Sequence, residues 1–297
     1  MYRPRSGLCL SDHMLRSLGL PEMLISGRAR LAGIIGWPVT HSRSPRLHGA
    51  WLKRYGVDGA YVPLPISPED FSGCVRALVR MGFAGCNVTI PHKEAAFTVC
   101  DVVESTARRA GAVNTLVFRD GRIVGSNTDG VGFIANLRAH DAFPVRSALV
   151  LGAGGAARAI GASLLDTGIE TGFCNRNYDR AAALAAELGG RAYEWKDRHA
   201  LLADHDLVVN ATSLGMEGYP SLDLDLHRAG PQLVVADIVY VPLETKLLAD
   251  ARARGLTIVS GLGMLLHQAV PGFHAWFGVM PEVDEWLHRI VAGDLIG

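Results

Sequence analysis

The sequence predicts an α/β protein of two domains, on three observations: its length, the alternation of short apolar runs with amphipathic stretches, and a glycine-rich turn that opens a second such series. A chain of 297 residues accommodates about two domains, each large enough to bury a core. Hydrophobic residues make up 49% and charged residues 20%, a globular balance that argues against disorder. Basic and acidic residues cancel at 29 each. No strong field therefore draws nucleic acid or an anionic membrane surface, and an anionic ligand must be held by local groups. No apolar run approaches the roughly 18 residues of a spanning helix.

Residues 1–30 fit no element. Arg3, Arg5 and Arg16 give a faintly transit-like composition that Asp12 and Glu22 spoil, so a loosely docked extension is expected, or an over-long start with Met14 and Met23 as later candidates. From Leu31 the pattern is regular. LAGII (31–35) reads as a strand, followed by a helix from Ser44 or Pro45 to about Tyr55, a strand AYVPL (60–64), a helix from about Pro68 to Arg80, and a strand GCNVTI (85–90). This alternation predicts parallel strands with crossover helices. LVF and RIV then flank Asp120-Gly121, a two-residue hairpin signal that makes the first sheet mixed. A second series starts at Ser147 with SALVLGAG, a helix over 156–168 closed by Gly168, IETGFCN (169–175), a helix near 178–188, DLVVNA (206–211), QLVVADIVY (232–240), a helix near 243–254 and LTIVSG (256–261). These runs lack strict alternation, as strands covered on both faces should. Helical segments near Met264–Phe277 and Pro281–Ala292 close the chain.

The turn Gly152-Ala153-Gly154-Gly155-Ala156-Ala157 fits G-x-G-x-x-G/A between a strand and a helix. The first glycine permits the tight turn, the second lets backbone approach a pyrophosphate, and a small residue at the last position lets the helix pack closely. The helix N-terminus then offers unpaired N–H groups to phosphate. This predicts a Rossmann-type, doubly wound nucleotide-binding domain. Sites for NAD usually carry an acid about 20 residues past the turn. Here the second strand ends Asn175-Arg176-Asn177, with Arg180 one turn later. An arginine fork suits a 2′-phosphate, which favours NADP. The plainer alternative is a solvated arginine pair, one member neutralised by Asp179.

Four polar segments lie outside that domain. In His41-Ser42-Arg43-Ser44-Pro45, Ser44 and Pro45 fit an N-cap and first helical residue, yet two hydroxyls at a helix start also suit a carboxylate. In Asn87-Val88-Thr89-Ile90-Pro91-His92-Lys93-Glu94, Pro91 is expected to open a helix. Lys93 then stands in the first turn, against the helix dipole. Asn114, in Gly111–Thr115, could simply satisfy a turn, and Asp129, in Ser126–Gly130, could simply cap a helix.

Together these stretches make the chain resemble the shikimate dehydrogenase family from about Ala32 to its end. The motifs are GWPVTHSRSPRLH, GCNVTIPHKEAAF, GAVNTL, GSNTDGVGF, GAGGAAR, NATSLGM, DIVYVPLET and GLGMLLHQA, in the family's order and spacing. The stretch HQAVPGF departs slightly from the commoner arrangement. The resemblance implies a discontinuous substrate-binding domain (31–129 plus 262–297), an NADP-binding domain (130–261) and a cleft between them. It implies that Ser42, Ser44, Thr89, Asn114, Tyr240 and Gln268 bind substrate, with Asn87 beside them, and that Lys93 and Asp129 form the catalytic pair. Gly152, Ala153, Gly154, Gly155, Ala156, Asn175, Arg176, Arg180, Thr212, Ser213, Gly261 and Met264 fall on the cofactor side.

The implied activity is reversible reduction of 3-dehydroshikimate to shikimate with NADPH, in chorismate and aromatic amino acid biosynthesis. Lys93 would meet the developing oxyanion, and Asp129 would hold Lys93 and a ring hydroxyl. Two rivals are an NAD-preferring quinate/shikimate dehydrogenase and a non-catalytic binding protein on the same scaffold. Five cysteines (Cys9, Cys74, Cys86, Cys100, Cys174) without CxxC spacing suit reduced thiols in the cytoplasm, with Cys86 and Cys174 as core fillers. The 11 histidines show no metal-ligand spacing, and His41, His92 and His267 read as packing or shell residues. No metal is implied. The partners expected are the small-molecule substrate and cofactor, without nucleic acid or membrane. A homodimer is compatible with the sequence.

Overall fold

The computed structural model describes residues 25–293. Most of the stretch read as an N-terminal extension, with Cys9, lies outside them. Two six-stranded sheets organise the chain. The first unit runs β1 (Arg30–Gly36), α1 (Ser44–Arg54), β2 (Gly59–Pro65), α2 (Phe71–Arg80), β3 (Gly85–Val88), α3 (Lys93–Val99), β4 (Val102–Val103), α4 (Ser105–Ala110), β5 (Thr115–Arg119) and β6 (Arg122–Ser126). Its strand order is β2-β1-β3-β5-β6-β4. β1 pairs in parallel with β2 and β3, whereas β5 is antiparallel to β3 and β6, so the sheet is mixed. At the hairpin Asp120 has φ 51° and Gly121 φ 73°, the left-handed pair that a tight two-residue turn requires.

Several expected boundaries move, each for a local reason. β3 stops at Val88 rather than Ile90. Thr89 still donates its N–H to Ile35, but Pro91 has no N–H with which to extend the ladder. α3 begins at Lys93, after a turn closed by the His92 N–H on the Thr89 carbonyl, and not at Pro91. Ser44 is not an N-cap. That position falls to Arg43, and Ser44 is the first helical residue, its N–H donated to Ser42 Oγ at 3.3 Å. α2 starts at Phe71, three residues past Pro68. β4 and α4 are too short to leave a periodic signal.

The second unit comprises α5 (Asp129–Ala139), β7 (Ser147–Leu151), α6 (Gly155–Asp166), β8 (Glu170–Asn175), α7 (Tyr178–Leu188), β9 (Arg191–Glu194), β10 (Leu207–Asn210), β11 (Val234–Asp237), α8 (Lys246–Ala253) and β12 (Thr257–Val259); α9 (Gly261–Phe277) and α10 (Glu285–Ala292) follow it and pack on the first sheet. All pairings of the second sheet are parallel, in the order β12-β11-β10-β7-β8-β9. This is the doubly wound arrangement, whose order reverses between β7 and β10, where ligands bind beyond the carboxyl ends. β7 shows why such strands lack alternation. Ala148 and Val150 enter one apolar cluster and Leu149 and Leu151 another, so both faces are covered. β9, with exposed ends, was not expected. β11 ends at Asp237, short of Tyr240, because the next residues turn around that carboxylate.

α9 returns to the first sheet. Leu262, Leu266, Phe273 and Trp276 pack with Ala32, Ile34, Leu47 and Trp51, and Trp276 Nε1 donates to the Leu116 carbonyl at 2.9 Å. The helix passes through Pro271, so the unusual HQAVPGF stretch leaves it continuous. On its other side α9 meets α5 at very close range: a Cβ on Gly132 would lie 2.6 Å from Gln268 N and Cβ. Only glycine allows this approach, which holds Asp129 and Gln268 together.

A buried carboxylate braces the second sheet. Asp237 Oδ1 accepts from Asn210 Nδ2 and the Val239 N–H, both at 3.0 Å, and Oδ2 accepts from Thr245 Oγ1 at 2.7 Å. Asn210 Oδ1 in turn accepts from the Thr212 N–H and hydroxyl. The loops after β10 and β11 are thus tied to one group. Burial pushes its pKa up to about 6, against these hydrogen bonds. Cys86 and Cys174 are fully buried, with thiols pushed up by burial, as core fillers should be.

Two outcomes follow from this packing. Gly132→Ala forces α5 and α9 apart and lowers the free energy of unfolding in urea by about 1–3 kcal/mol; unchanged stability would show that the helices separate freely. Asp237 binds its proton more tightly folded than unfolded, so its contribution to stability falls as pH rises from 3.8 to about 6 and is constant above. Across that window the stability of the parent relative to Asp237→Asn should decline by up to roughly 3 kcal/mol, and a pH-independent difference would refute the shift.

Candidate active site

Lys93 is the first residue of α3, where the helix dipole disfavours a cation. Its compensation comes from across the fold rather than from Glu94. Lys93 Nζ lies 2.5 Å from Asp129 Oδ2, with the lysine side chain 31% exposed and the aspartate 12%. The amine is reachable while the carboxylate is largely covered. Asp129 is the first residue of α5, where a negative charge is favoured. It caps nothing with its side chain: its oxygens are taken by Lys93 and by Asn114 Nδ2 at 2.8 Å. The simple capping explanation therefore fails for the Asp129 side chain, while Asn114 serves both a backbone N–H, that of Thr128, and this carboxylate.

The cluster extends by amide and hydroxyl groups of fixed polarity. Asn114 Oδ1 accepts from the Thr128 N–H and from Thr115 Oγ1, each at 2.9 Å. These donors turn Asn114 Nδ2 toward Asp129, with Gln268 Oε1 at 3.5 Å. Gln268, on α9, also receives the Thr128 hydroxyl at 3.3 Å and donates Nε2 to the Leu265 carbonyl. Asn87 Nδ2 donates to the Asn114 carbonyl and to Thr115 Oγ1. Lys93, Asp129, Asn114 and Gln268, expected from separate motifs, are thus joined. Thr115 and Thr128 belong to the same network and were missed. Their signal was their place within GAVNTL and GSNTDG, which the residues alone do not distinguish from turn chemistry.

Of the remaining substrate-side candidates, Ser44 borders this network through the Tyr61 hydroxyl, which also bonds Asn87, and the others stand apart from it. Thr89 follows β3 and is partly exposed, Ser42 is half-buried, and Ser44 is almost fully buried. Tyr240 is half-buried against the core of the first sheet, and burial raises its phenol while the Arg43 charge opposes that shift. Arg43 Nη1 donates to the Val291 carbonyl. Among the described residues, the side chains of Ser42, Thr89 and Tyr240 make no hydrogen bond to Lys93 or Asp129. Of the histidines near these motifs, His92 is structural: it stacks on Phe71 at 4.7 Å and its Nε2 meets the Ile66 carbonyl. His41 is exposed and His267 half-buried.

The nucleotide side forms at the carboxyl ends of β7, β8 and β10. Gly152 has φ 120°, and a Cβ there would lie 2.9 Å from the Ala211 carbonyl oxygen, so the glycine turn packs directly against the strand end that leads to Thr212 and the exposed Ser213. A Cβ on Gly154 or Gly155 would meet nothing within 4 Å, and no side chain caps α6. An open turn and an uncapped helix start fit a pyrophosphate. Arg180 Nη2 donates to the Ala153 carbonyl at 3.2 Å, which brings its guanidinium over the turn. Asn175 ends β8 and donates Nδ2 to the Asn177 carbonyl. Arg176 is exposed, and Asp179 forms no ion pair with either arginine among the described residues. Gly261 opens α9 pressed against the Ile238 and Val239 carbonyls, and Met264 is buried in the core of the second sheet. A shallow groove at the opposite end of the sheet, lined by Gly172, Gly189, Tyr193 and His205 among others, contains none of these candidates.

Comparison with known proteins agrees with this geometry. Residues 34–116 match the shikimate dehydrogenase substrate-binding domain, and residues 136–217 match the shikimate/quinate 5-dehydrogenase family. A shikimate dehydrogenase (NADP(+)) of Acidiphilium cryptum is 67% identical over 276 residues, covering 93% of this chain and 100% of that protein. A shikimate 5-dehydrogenase of Thermus thermophilus, solved with NADP(H) and shikimate, is 37% identical with a TM-score of 0.81, over 90% of this chain and 99% of the other. A quinate dehydrogenase of Corynebacterium glutamicum, solved with NAD, also has a TM-score of 0.81, at 31% identity over 90% and 99% of the two chains. With both matched regions falling on the two sheets that carry the candidate residues, the chain belongs to the shikimate dehydrogenase family.

Proposed function

We propose that this chain is an NADP-dependent shikimate dehydrogenase, reversibly reducing 3-dehydroshikimate to shikimate in aromatic amino acid biosynthesis. The observation that carries this reading is the Lys93–Asp129 contact, supported by Asn114 and Gln268. Residues 31–129 with 262–297 form the substrate-binding unit and 130–261 the nucleotide-binding unit. The nicotinamide, when bound, supplies or accepts the hydride.

The chain's own residues do the rest. Ser42 and Ser44 receive the substrate carboxylate at the start of α1, with Tyr240 beside them. Thr89, Asn114 and Gln268 orient the ring hydroxyls. Reduction develops negative charge on the ketone oxygen, and a donor aimed there stabilises the transition state more than the ground state. Lys93 is that donor and delivers the proton to the alkoxide. Asp129 fixes the ammonium and a neighbouring ring hydroxyl. Gly152, Ala153, Gly154, Gly155 and Ala156 accept the pyrophosphate, while Thr212, Ser213, Gly261 and Met264 line the nicotinamide side.

Asn175, Arg176 and Arg180 bind the 2′-phosphate, which favours NADP over NAD. The enzyme acts in the cytoplasm, and a homodimer, to be checked by light scattering, remains part of the proposal. Initial rates with shikimate and quinate, each with NADP and NAD, test the assignment directly. The pair shikimate and NADP should dominate; quinate with NAD as the faster pair would assign the chain to quinate oxidation, and no turnover of either would leave a binding protein.

Lys93→Ala should lower kcat about 10²–10³-fold with a smaller change in KM. A raised KM with kcat intact would make Lys93 a binding residue only. Arg176→Ala and Arg180→Ala should each raise the KM for NADP about 10-fold and leave the rate with NAD nearly unchanged. Equal effects on both cofactors would remove the 2′-phosphate role.

A further inference from the structure

A buried aromatic stack lies behind the substrate-side network, and the chemistry above makes no use of it. Tyr61 of β2 and His48 of α1 stack with ring centroids 4.0 Å apart at 14°, and Trp51, Phe273 and Trp276 surround the imidazole. His48 is fully buried, and neither ring nitrogen has a hydrogen-bond partner. Burial pushes its pKa down to about 3, the nearby Asn87 side chain opposing only part of the shift. The imidazole is therefore a neutral plate against which the phenol rests. Burial also holds the Tyr61 phenol well above its ordinary pKa, a hydrogen bond with the Ser44 side chain opposing part of the shift, so its hydroxyl keeps its proton.

That hydroxyl donates to Asn87 Oδ1 at 2.7 Å. The other end of the amide is committed by a carbonyl, which can only accept: Asn87 Nδ2 donates to the Asn114 carbonyl at 3.2 Å and to Thr115 Oγ1 at 3.3 Å. Thr115 passes the polarity on by donating to Asn114 Oδ1, and Asn114 Nδ2 reaches Asp129. Asn87 is only 4% exposed, so water cannot readily replace a missing donor, and an unsatisfied buried acceptor is costly. We infer that Tyr61 is a positioning residue for substrate recognition, acting through Asn87: its hydroxyl anchors the amide oxygen, so that Asn87 and the groups beyond it face the substrate in one orientation. This rests on the shikimate dehydrogenase reading. Asn114 is anchored separately by the Thr128 N–H, so the Lys93–Asp129 pair keeps its place without Tyr61.

The test is steady-state kinetics and melting of the full chain as Tyr61→Phe, Asn87→Ala and the double variant. Phenylalanine preserves the ring stack and removes only the hydroxyl. Turnover of shikimate with NADP by the parent checks the underlying reading independently. Tyr61→Phe should raise the KM for shikimate about 10-fold while kcat and the KM for NADP stay within about 3-fold. Added to Asn87→Ala, it should change the KM for shikimate by less than about 2-fold, because the group through which it acts is gone. An unchanged KM in Tyr61→Phe, with or without a lower Tm, assigns the tyrosine to packing and overturns the inference. Multiplying effects in the double variant overturn it too. If Asn87→Ala does not fold, Asn87→Ser takes its place under the same criteria.

Discussion

The contact between the Lys93 ammonium and the Asp129 carboxylate is the constraint around which the neighbouring structure is arranged. A half-buried ion pair loses hydration on both sides, and its attraction offsets that loss only when the remaining polar atoms find partners. Here they do. Asp129 keeps one oxygen for the amine and one for Asn114, and its N–H is donated to Asn127 Oδ1. The two charges begin different helices, α3 and α5. The dipole of α5 favours its carboxylate, while that of α3 opposes its amine, so the amine depends on the pair. What this arrangement produces is a cation held in position yet partly open, as an oxyanion donor must be.

Holding the pair requires the two halves of the chain to meet closely. α9 leaves the second sheet, packs on the first and presses against α5 where Gly132 has no side chain. Gln268 and Asp129 are neighbours for that reason, although 139 positions separate them in the sequence. On the nucleotide side, Asp237 plays a related part. By accepting from Asn210, Val239 and Thr245 it ties together the loops that carry Thr212 and Tyr240. One buried carboxylate thus couples the loop after β10 to the segment that leads to Tyr240. Its raised pKa is the energetic mark of that burial.

Much of the architecture was legible in the residues. Buried parallel strands read as unbroken apolar runs, and SALVL, DLVVN and LVVAD are such runs. Asp120-Gly121 announced a hairpin because few residue pairs tolerate its backbone. The glycine turn was legible because backbone geometry there admits little else. Boundaries were less so. GCNVTI continues apolar past the point where Pro91 ends the ladder, and Ser44 looks like a cap when Ser42 supplies the acceptor. Short elements such as β4 and α4 lack enough residues to show a period.

The sequence by itself determined the fold class, the order of the longer elements and the lean toward NADP, because these are written in local pattern, spacing or side-chain type, whereas Lys93 and Asp129 stood out as a pair only through the family resemblance. Tertiary structure alone decided which polar groups answer one another. Asp129 has an ordinary local explanation that only its contacts remove, Asn114 adds the contact with Asp129 to a bond it makes with backbone, and Thr115, Thr128 and Tyr61 gain their roles from neighbours far away in the chain. Hydrogen-bond polarity is a property of packed partners, and no local pattern carries it.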